Sequence, residues 1–578
     1  MRLVVDMTRC QSYAQCCFLA PDTFTLRGQE ALVYDSCPDD AQRDKILQAA
    51  AACPVQAILV ERLERLENRP APPPPEEPGG ALASPATRAP RAVAGPEDSP
   101  RADGRIVIVG ASLAGLRAAE AVRREGFAGR LTLIGDEAAE PYDRPPLSKE
   151  VLEGLMPVEH TALPRLEALD AEWKLGAAAT GLDLAGKRVR LADGEEVGFD
   201  RVLITTGTRA RPWPDRAEAR LDGVLTLRTR EDAGRLRERL AARPGRVLVI
   251  GGGFTGSEVA SACRELDVPV TVVQRGPAPL FAALGGVVGR VAGQIQREHG
   301  VHLRTGVTVT ALEGDPGGRL RRARLSDGGV VDADVAVVAL GALRNVEWLR
   351  GSGLAAGEWG VACDAGCRAF DLNGLVTDDV FVAGDVARFP HPMFGFEFLA
   401  LEHWGNAVAQ AEIAAHNMVS GQARRWPHLS VPIFWSIQFG HLIKSAGVSA
   451  LADEVVLTQG SVEDRSFVAA YGHRGRIVAA VTVNQSKWLE YYQRLIADGA
   501  PFPPHDAADK PDGMRPVPAA MPAAVVPWRA TEDATLAVTG HQPSEWQAVW
   551  RPRTPAAPGP RAVAAPEPEA VEAQERQS

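Results

Sequence analysis

The sequence predicts an α/β chain of several domains, in which a small α+β module precedes two doubly wound α/β folds. Three observations support this prediction. The chain has 578 residues, 45% of them hydrophobic, and is therefore too long for one hydrophobic core. Glycine-rich turns follow apolar strands at two places, near residues 110 and 251. Five of the eight cysteines lie before residue 54, where they form a compact cluster in the sequence.

Charge and hydropathy exclude several classes of function. The net charge of -10 argues against nucleic acid or an anionic membrane as a partner, because both bind concentrated basic surfaces. No stretch reaches the roughly 18 apolar residues of a transmembrane helix. The first residues also lack the basic start and apolar run of a signal peptide. We therefore expect a cytoplasmic protein with neither a membrane nor a nucleic-acid partner.

Composition separates both ends of the chain from its centre. We expect an N-terminal module over 1–66 and a Pro/Ala-rich linker over 67–104, because proline removes backbone donors and the linker has few apolar side chains to bury. Residues 503–578 show no sustained period and are predicted to be mostly disordered. Within this tail, Trp528, Trp546 and Trp550 form either a docking motif or a short local structure.

Cys10, Cys16 and Cys53 have the spacing of ligands to an iron-sulfur cluster, and Cys53 is followed by proline. Tyr13 occupies the usual position of a second cysteine, and Ala20 that of a fourth. We therefore expect one cluster, and three protein thiolates favour [3Fe-4S]. A [4Fe-4S] cluster with an unusual fourth ligand is the alternative.

Two other uses of these cysteines, as zinc ligands and as disulfides, are disfavoured. Structural zinc normally takes four Cys or His ligands, and the module contains no histidine. A disulfide framework is disfavoured in a reducing compartment. Cys17 and Cys37 match no ligand position and are interpreted as packing residues.

The N-terminal stretch VVDMTRCQSYAQCCFLAPDTF, followed by CPVQAI, resembles the small single-cluster ferredoxins that supply electrons to bacterial cytochromes P450. The resemblance covers nearly all of residues 1–65. It implies a ferredoxin fold and an electron-transfer role for the module.

The first glycine turn, in RIVIVGASLAG, lies between an apolar strand and an amphipathic helix, as a dinucleotide-binding fingerprint requires. Gly110 allows the tight turn, and Gly115 allows the helix to pack on the strand. Ser112 replaces the second glycine, but its small side chain still leaves room for a phosphate. The next strand ends in Asp136, at about the distance of the acid that binds a ribose hydroxyl.

The second turn, RVLVIGGGFTGSE, has Gly251, Gly253 and Gly256 in full G-x-G-x-x-G register. Two fingerprints predict two nucleotides. The strand after this turn ends in Gln274 followed by Arg275, where an acid would select NADH, so this site is expected to accept NADH or NADPH.

Several motifs together resemble the FAD-dependent ferredoxin reductases of the putidaredoxin reductase and aromatic-dioxygenase reductase type. These motifs are PYDRPPLSK, LITTG, LRTRED, VFVAGDVAR, LEHWGNAVAQ and FWSIQFG. The resemblance covers about 105–500 and departs from the family at Ile437, where the family often has Asp. It implies an FAD domain over 105–213 and 341–425, interrupted by an NAD(P) domain over 214–340 and followed by a small C-terminal α+β domain over 426–502.

The same resemblance implies the site residues. The FAD contacts would be Ala114, Asp136, Lys149, Arg228, Asp385 and Trp404. Glu258 would lie near the nicotinamide, and Lys149 and Glu258 would form a catalytic pair beside the flavin.

These observations lead to the hypothesis of a self-sufficient ferredoxin and ferredoxin reductase, which passes electrons from NAD(P)H through FAD and the cluster to an external acceptor. A cytochrome P450 is the first candidate acceptor, and a ring-hydroxylating oxygenase is the second. A disulfide reductase is disfavoured because no cysteine occurs between Cys53 and Cys263. An iron-sulfur redox-sensing protein is the alternative from another class.

Overall fold

The structure is a computed structural model that describes residues 1–61, 104–509 and 514–521, and the backbone of strands Ala534–Thr539 and Gln547–Pro552. These two strands form an antiparallel hairpin, and Trp550 lies in the second. Trp528, Trp546 and the expected linker, apart from Gly104, lie outside the described residues. No helix within the described ranges is both long and apolar enough to cross a bilayer.

The N-terminal module consists of two antiparallel strand pairs and two helices. Leu3–Val5 pairs with Ile58–Val60, and Phe24–Arg27 pairs with Ala31–Tyr34. The helices are Gln15–Leu19 and Arg43–Ala52. Leu3, Phe24 and Ile46 fill the core between them.

A six-stranded sheet forms the centre of the first nucleotide-binding domain. Its strands come from both sides of the second domain in the chain, which is the predicted interruption. In spatial order they are Arg368–Phe370, Val376–Val382, Arg201–Ile204, Arg105–Val109, Arg130–Gly135 and Glu172–Leu175. Helices Leu113–Arg124 and Trp404–Val419 pack together on this sheet through small residues such as Ala118 and Ala411.

The second nucleotide-binding domain has a five-stranded parallel sheet. In spatial order its strands are Val224–Leu225, Val335–Val338, Val247–Ile250, Val270–Gln274 and His302–Thr305. Its helices are Arg230–Ala241, Phe254–Glu265 and Phe281–Glu298. The three central strands are largely buried and rich in Val, as is typical of parallel sheets.

Smaller sheets surround these two domains. Three-stranded antiparallel sheets are formed by Ala179–Asp183, Arg188–Leu191 and Glu196–Gly198, and by Val309–Gly314, Leu320–Leu325 and Val330–Asp332. A four-stranded sheet contains Ala356–Gly357, Gly360–Ala362, Ala387–His391 and Glu397–Leu399. Thr208–Ala210 pairs with Ala342–Arg344, and Glu150–Glu153 is a single helical turn.

The C-terminal domain is a six-stranded antiparallel sheet with helix Leu489–Ala497. Its strands are, in spatial order, Ile433–Gln438, His441–Gly447, Arg476–Val483, Ser466–His473, Glu454–Ser461 and Val517–Pro518. The last strand shows that the expected boundary at residue 502 is too early. Val517 pairs with Val455 at the sheet edge, and Ala519 is buried against the core. This pairing involves partners far apart in the sequence, so it leaves no local period in the proline-rich segment.

The N-terminal module packs directly on the C-terminal domain. Leu442 is fully buried in the module's own core, and Trp435 and Ile437 pack against the same cluster of side chains. Polar contacts surround this apolar centre: Arg27 pairs with Glu153 at 2.7 Å, and the backbone N-H of Ser486 donates to Glu30 Oε2 at 2.9 Å. Side chains of the C-terminal domain therefore extend the core of the module.

Candidate functional site

One cavity of about 680 Å³ lies where the two nucleotide-binding domains and the C-terminal domain meet. Nine of the residues singled out in the sequence line it: Gly110, Ser112, Ala114, Asp136, Lys149, Arg228, Glu258, Asp385 and Trp404. Phe434 and Trp435 of the C-terminal domain close one side. No cysteine occurs among the described residues that line the cavity, so the site lacks the thiol that disulfide reduction would need.

The first glycine turn forms one wall of this cavity. Gly110 has a φ of 120°, and a Cβ there would lie 2.2 Å from the Thr205 carbonyl oxygen. A Cβ on Gly115 would lie 2.0 Å from the Gly110 oxygen, so the helix packs on the turn as expected. Among the described residues, no side chain caps the helix that begins after Ser112. Its first amides are left for an anionic ligand, which fits a dinucleotide pyrophosphate.

Asp385 follows strand Val376–Val382, which two strands of the same sheet separate from the strand that precedes Asp136. Arg228 Nη2 donates to Asp385 Oδ2 at 2.8 Å, and Arg228 Nε donates to the Thr208 carbonyl at 3.2 Å. Two of the predicted flavin contacts, Arg228 and Asp385, therefore form an ion pair. The position of Asp385 suits a carboxylate that accepts hydrogen bonds from ligand hydroxyl groups.

Lys149 and Glu258 meet at the centre of the cavity wall, with Nζ 2.8 Å from Oε2. The Glu258 carboxylate also accepts from Ser148 Oγ at 2.5 Å and from Ser436 Oγ at 2.6 Å. Three domains thus converge on one buried carboxylate. Sequence reasoning missed Ser148 and Ser436, although both lie in the motifs PYDRPPLSK and FWSIQFG that carried the resemblance.

Asp143 is a second buried carboxyl group in this wall. Burial raises its pKa to about 6, and the hydrogen bond from Trp404 Nε1, at 2.8 Å, opposes the shift. Trp404 also meets Trp435 edge to face, with ring centroids 6.1 Å apart. Asp143 was not singled out in the sequence, because an acid in a proline-rich loop gives no signal of its burial.

The second glycine turn lies beside the cavity. Gly251 has a φ of 112°, and a Cβ on Gly256 would lie 1.9 Å from the Gly251 oxygen. A Cβ on Gly253, in contrast, would meet nothing within 4 Å. Gln274 Oε1 accepts from the Gly252 N-H at 2.9 Å, so this side chain braces the turn. The helix that follows carries Phe254 and Glu258 to the cavity, and Arg275 is exposed.

The three predicted cluster ligands belong to one core cluster of the module. Cys10 is buried, whereas Cys16 and Cys53 are half-buried. Burial raises the pKa of Cys16 to about 12 and also raises that of Cys10, where Lys444 opposes the shift. The Ala57 N-H donates to Cys53 Sγ at 3.4 Å, a bond that suits a thiolate ligand.

A single metal ion and a cluster of several irons make different demands on the arrangement of these thiols. Within the described ranges, no three His, Cys, Asp or Glu side chains converge on a point as a single metal ion would require. A cluster of several irons holds its thiolates further apart, on its corners, so it does not require the three thiols to converge on one point. Cys17 and Cys37 are half-buried, and Cys363 and Cys367 are fully buried.

In each of the two large α/β sheets, one strand is followed by a glycine turn and a helix, and this repeated unit defines the class of two-dinucleotide-binding flavoproteins. Residues 104–411 match the pyridine nucleotide-disulphide oxidoreductase family, 433–517 match a reductase C-terminal domain, and 5–60 match the 4Fe-4S single cluster domain of ferredoxin I. The chain belongs to the pyridine nucleotide-disulphide oxidoreductase family and consists of a ferredoxin module fused to a ferredoxin reductase. The predicted family membership, fold class and oxidoreductase activity are thereby confirmed.

Individual relatives support this assignment. The chain is 34% identical over 419 residues to the anthranilate 1,2-dioxygenase system ferredoxin-NAD(+) reductase component of Burkholderia cepacia, covering 71% of this chain and 98% of the relative. It is 34% identical to rhodocoxin reductase of Rhodococcus erythropolis, covering 70% and 92%. A crystal structure of the covalent putidaredoxin reductase-putidaredoxin complex is similar with a TM-score of 0.65 and 28% identity, covering 70% of this chain and 96% of that one.

Proposed function

We propose that this chain is a self-sufficient electron-transfer enzyme that takes electrons from NADH or NADPH and delivers them through its own ferredoxin module to an external oxygenase. When bound, FAD would accept a hydride from the nicotinamide and release its electrons singly to the cluster. The observation that carries the proposal is the position of Trp435. Its side chain lines the cavity and also packs against the core that contains the three cysteines.

Different residues of the chain would bind different parts of FAD. The amides after Ser112 would hold the FAD pyrophosphate, Asp136 a ribose hydroxyl, and Asp385 the ribityl chain. Lys149 would place a positive charge beside the flavin ring, where negative charge develops during reduction. Glu258 Oε2 lies 2.8 Å from that ammonium group and would border the space for the nicotinamide.

For the cluster we propose the [3Fe-4S] type. The Tyr13 side chain is 53% exposed, and its hydroxyl donates to Gln11 Oε1 at 2.7 Å. This hydrogen bond turns the phenol toward solvent rather than toward the cysteines. Three thiolates, from Cys10, Cys16 and Cys53, would then be the protein ligands.

A cytochrome P450 is the first candidate for the acceptor, and a ring-hydroxylating oxygenase is the second. The module's resemblance to P450-type ferredoxins favours the first. The dioxygenase systems named for relatives such as the Burkholderia protein favour the second.

An anaerobic titration tests the function. The purified chain is titrated with NADH and, in parallel, with NADPH, while absorbance reports FAD and electron paramagnetic resonance reports the cluster. We expect bleaching of the flavin band followed by a change in the cluster signal with either nicotinamide. Protein without iron and acid-labile sulfide, or a cluster that stays unchanged while FAD is reduced, would contradict the proposal.

A further inference from the structure

Lys444 is a fully buried lysine that the proposed chemistry leaves unused. It lies in strand His441–Gly447 of the C-terminal domain, opposite Thr482 of the neighbouring strand, and has 0% exposure. Its Nζ donates to the main-chain carbonyl of Cys10. The side chain therefore crosses from the reductase into the iron-sulfur module and ends at a predicted cluster ligand.

The surroundings of this ammonium group are acidic. Burial lowers the pKa of Lys444, and the Cys10 thiol and the carboxylates of Glu30 and Asp6 oppose this shift. Glu30 Oε2 is fixed by the Ser486 N-H at 2.9 Å, and Asp6 Oδ1 by the Thr8 N-H at 2.9 Å. A buried positive charge is tolerated only where such partners compensate for its lost hydration.

Cluster formation adds negative charge to this environment. The thiols become thiolates when they bind iron, and reduction adds a further electron. In a water-excluded interface, a fixed positive charge stabilises the more negative form, because electrostatic interactions are stronger there than in water. A lysine at this position therefore favours the reduced cluster.

We propose that Lys444 is a positioning residue that seats the Cys10 loop on the reductase and, through its charge, raises the reduction potential of the cluster. This inference rests on the proposed function, because it assumes that Cys10 binds a cluster. It assigns to a reductase residue the control of a redox centre in another module. The contact would make electron acceptance by the cluster depend on the docked arrangement.

Two substitutions in the full-length protein separate seating from charge. Lys444→Gln keeps an N-H donor for the Cys10 carbonyl but removes the charge, whereas Lys444→Met removes both. Arg474→Gln is the matched control, because it removes an exposed positive charge from a turn of the same sheet. Hydrogen exchange of the peptide over residues 8–20 reports seating, and a dithionite titration with redox mediators, followed by electron paramagnetic resonance, reports the potential.

We expect both Lys444 variants to lower the cluster potential by an amount equivalent to at least about tenfold in the one-electron equilibrium, about 59 mV. Only Lys444→Met should accelerate exchange in residues 8–20. A Lys444→Gln potential equal to that of Arg474→Gln would overturn the inference while leaving the proposed function intact. Wild-type protein without iron would instead contradict the proposed function and, with it, this inference.

Discussion

Lys149 Nζ lies 2.8 Å from Glu258 Oε2, and this ion pair joins the FAD domain to helix Phe254–Glu265 of the NAD(P) domain. Ser436 of the C-terminal domain donates to the other oxygen of the same carboxylate. A single side chain thus fixes the relative position of three domains at the cavity. Substitutions at Glu258 should accordingly affect the reaction more than they affect FAD retention.

Glu258→Gln should slow the reduction of FAD by NADH by at least about tenfold, because Lys149 loses the charge that holds it and a single preorganised group contributes on this scale. Stopped-flow absorbance of the FAD-loaded enzyme measures this rate. Glu265→Gln, an exposed position at the end of the same helix, is the control. A rate equal to that of the control would exclude a role for the carboxylate in hydride transfer.

The second glycine turn allows binding to be separated from folding. Gly253→Ala adds a Cβ that meets no atom within 4 Å, so we expect unchanged thermal stability. The new methyl group would occupy the space proposed for the pyrophosphate, so we expect the KM for NADH to rise about tenfold. Gly256→Ala places its Cβ 1.9 Å from a backbone oxygen and should cost about 1–3 kcal/mol of stability. Thermal unfolding and steady-state kinetics on both variants check this. Equal effects on KM from both substitutions, with equal unfolding temperatures, would contradict the prediction.

Tyr13→Cys should convert the cluster from three irons to four, because it restores the thiolate between Cys10 and Cys16 in the ferredoxin spacing. Tyr13 is 53% exposed, so its replacement leaves the core unchanged. Iron analysis and electron paramagnetic resonance distinguish the two types. Tyr13→Phe should retain the wild-type cluster, and a changed cluster in that variant would identify the phenol as a ligand.

Asp143 should make the folded state lose stability as the pH rises. The pKa of this buried carboxyl is raised to about 6, so between its ordinary value and 6 the folded state binds more protons than the unfolded state. Its contribution to stability is therefore present at low pH and lost as the pH rises through about 6. Asp143→Asn removes this loss while keeping an acceptor for Trp404.

One pKa unit corresponds to about 1.4 kcal/mol, so Asp143→Asn should gain about 1 kcal/mol relative to wild type between about pH 5 and about pH 7.5. Thermal unfolding at several pH values measures the difference. Asp170→Asn, at an exposed position, should run parallel to wild type. A constant difference between Asp143→Asn and wild type across this pH range would show that the carboxyl titrates normally.

The local parts of this protein could be predicted from the sequence. A glycine turn between an apolar strand and a helix is encoded within about a dozen residues, so Gly110 and Gly251 were found with the elements on both sides. The cavity position of Asp385 followed from a resemblance in chain order, because no local rule connects it with Arg228. The roles of these four residues toward FAD and the nicotinamide stay predictions.

The contacts between distant segments could not be predicted. Lys444 and Cys10 are 434 positions apart in the sequence. A lysine within a strand gives no sign in the sequence that another module will bury it. Val517 joins a sheet edge although its segment is rich in proline. In both cases tertiary packing determines the environment, and the sequence pattern of each segment alone indicates exposure or disorder.

The apolar face formed by Trp435, Ile437 and Leu442 has a practical consequence for work with fragments. Leu442 is fully buried because the N-terminal module covers it. A shortened protein that begins just before strand Arg105–Val109 would expose this face to water, and contiguous exposed apolar surface promotes self-association. Preparations of the isolated reductase half should therefore be poorly soluble, and the two halves are best produced as one polypeptide.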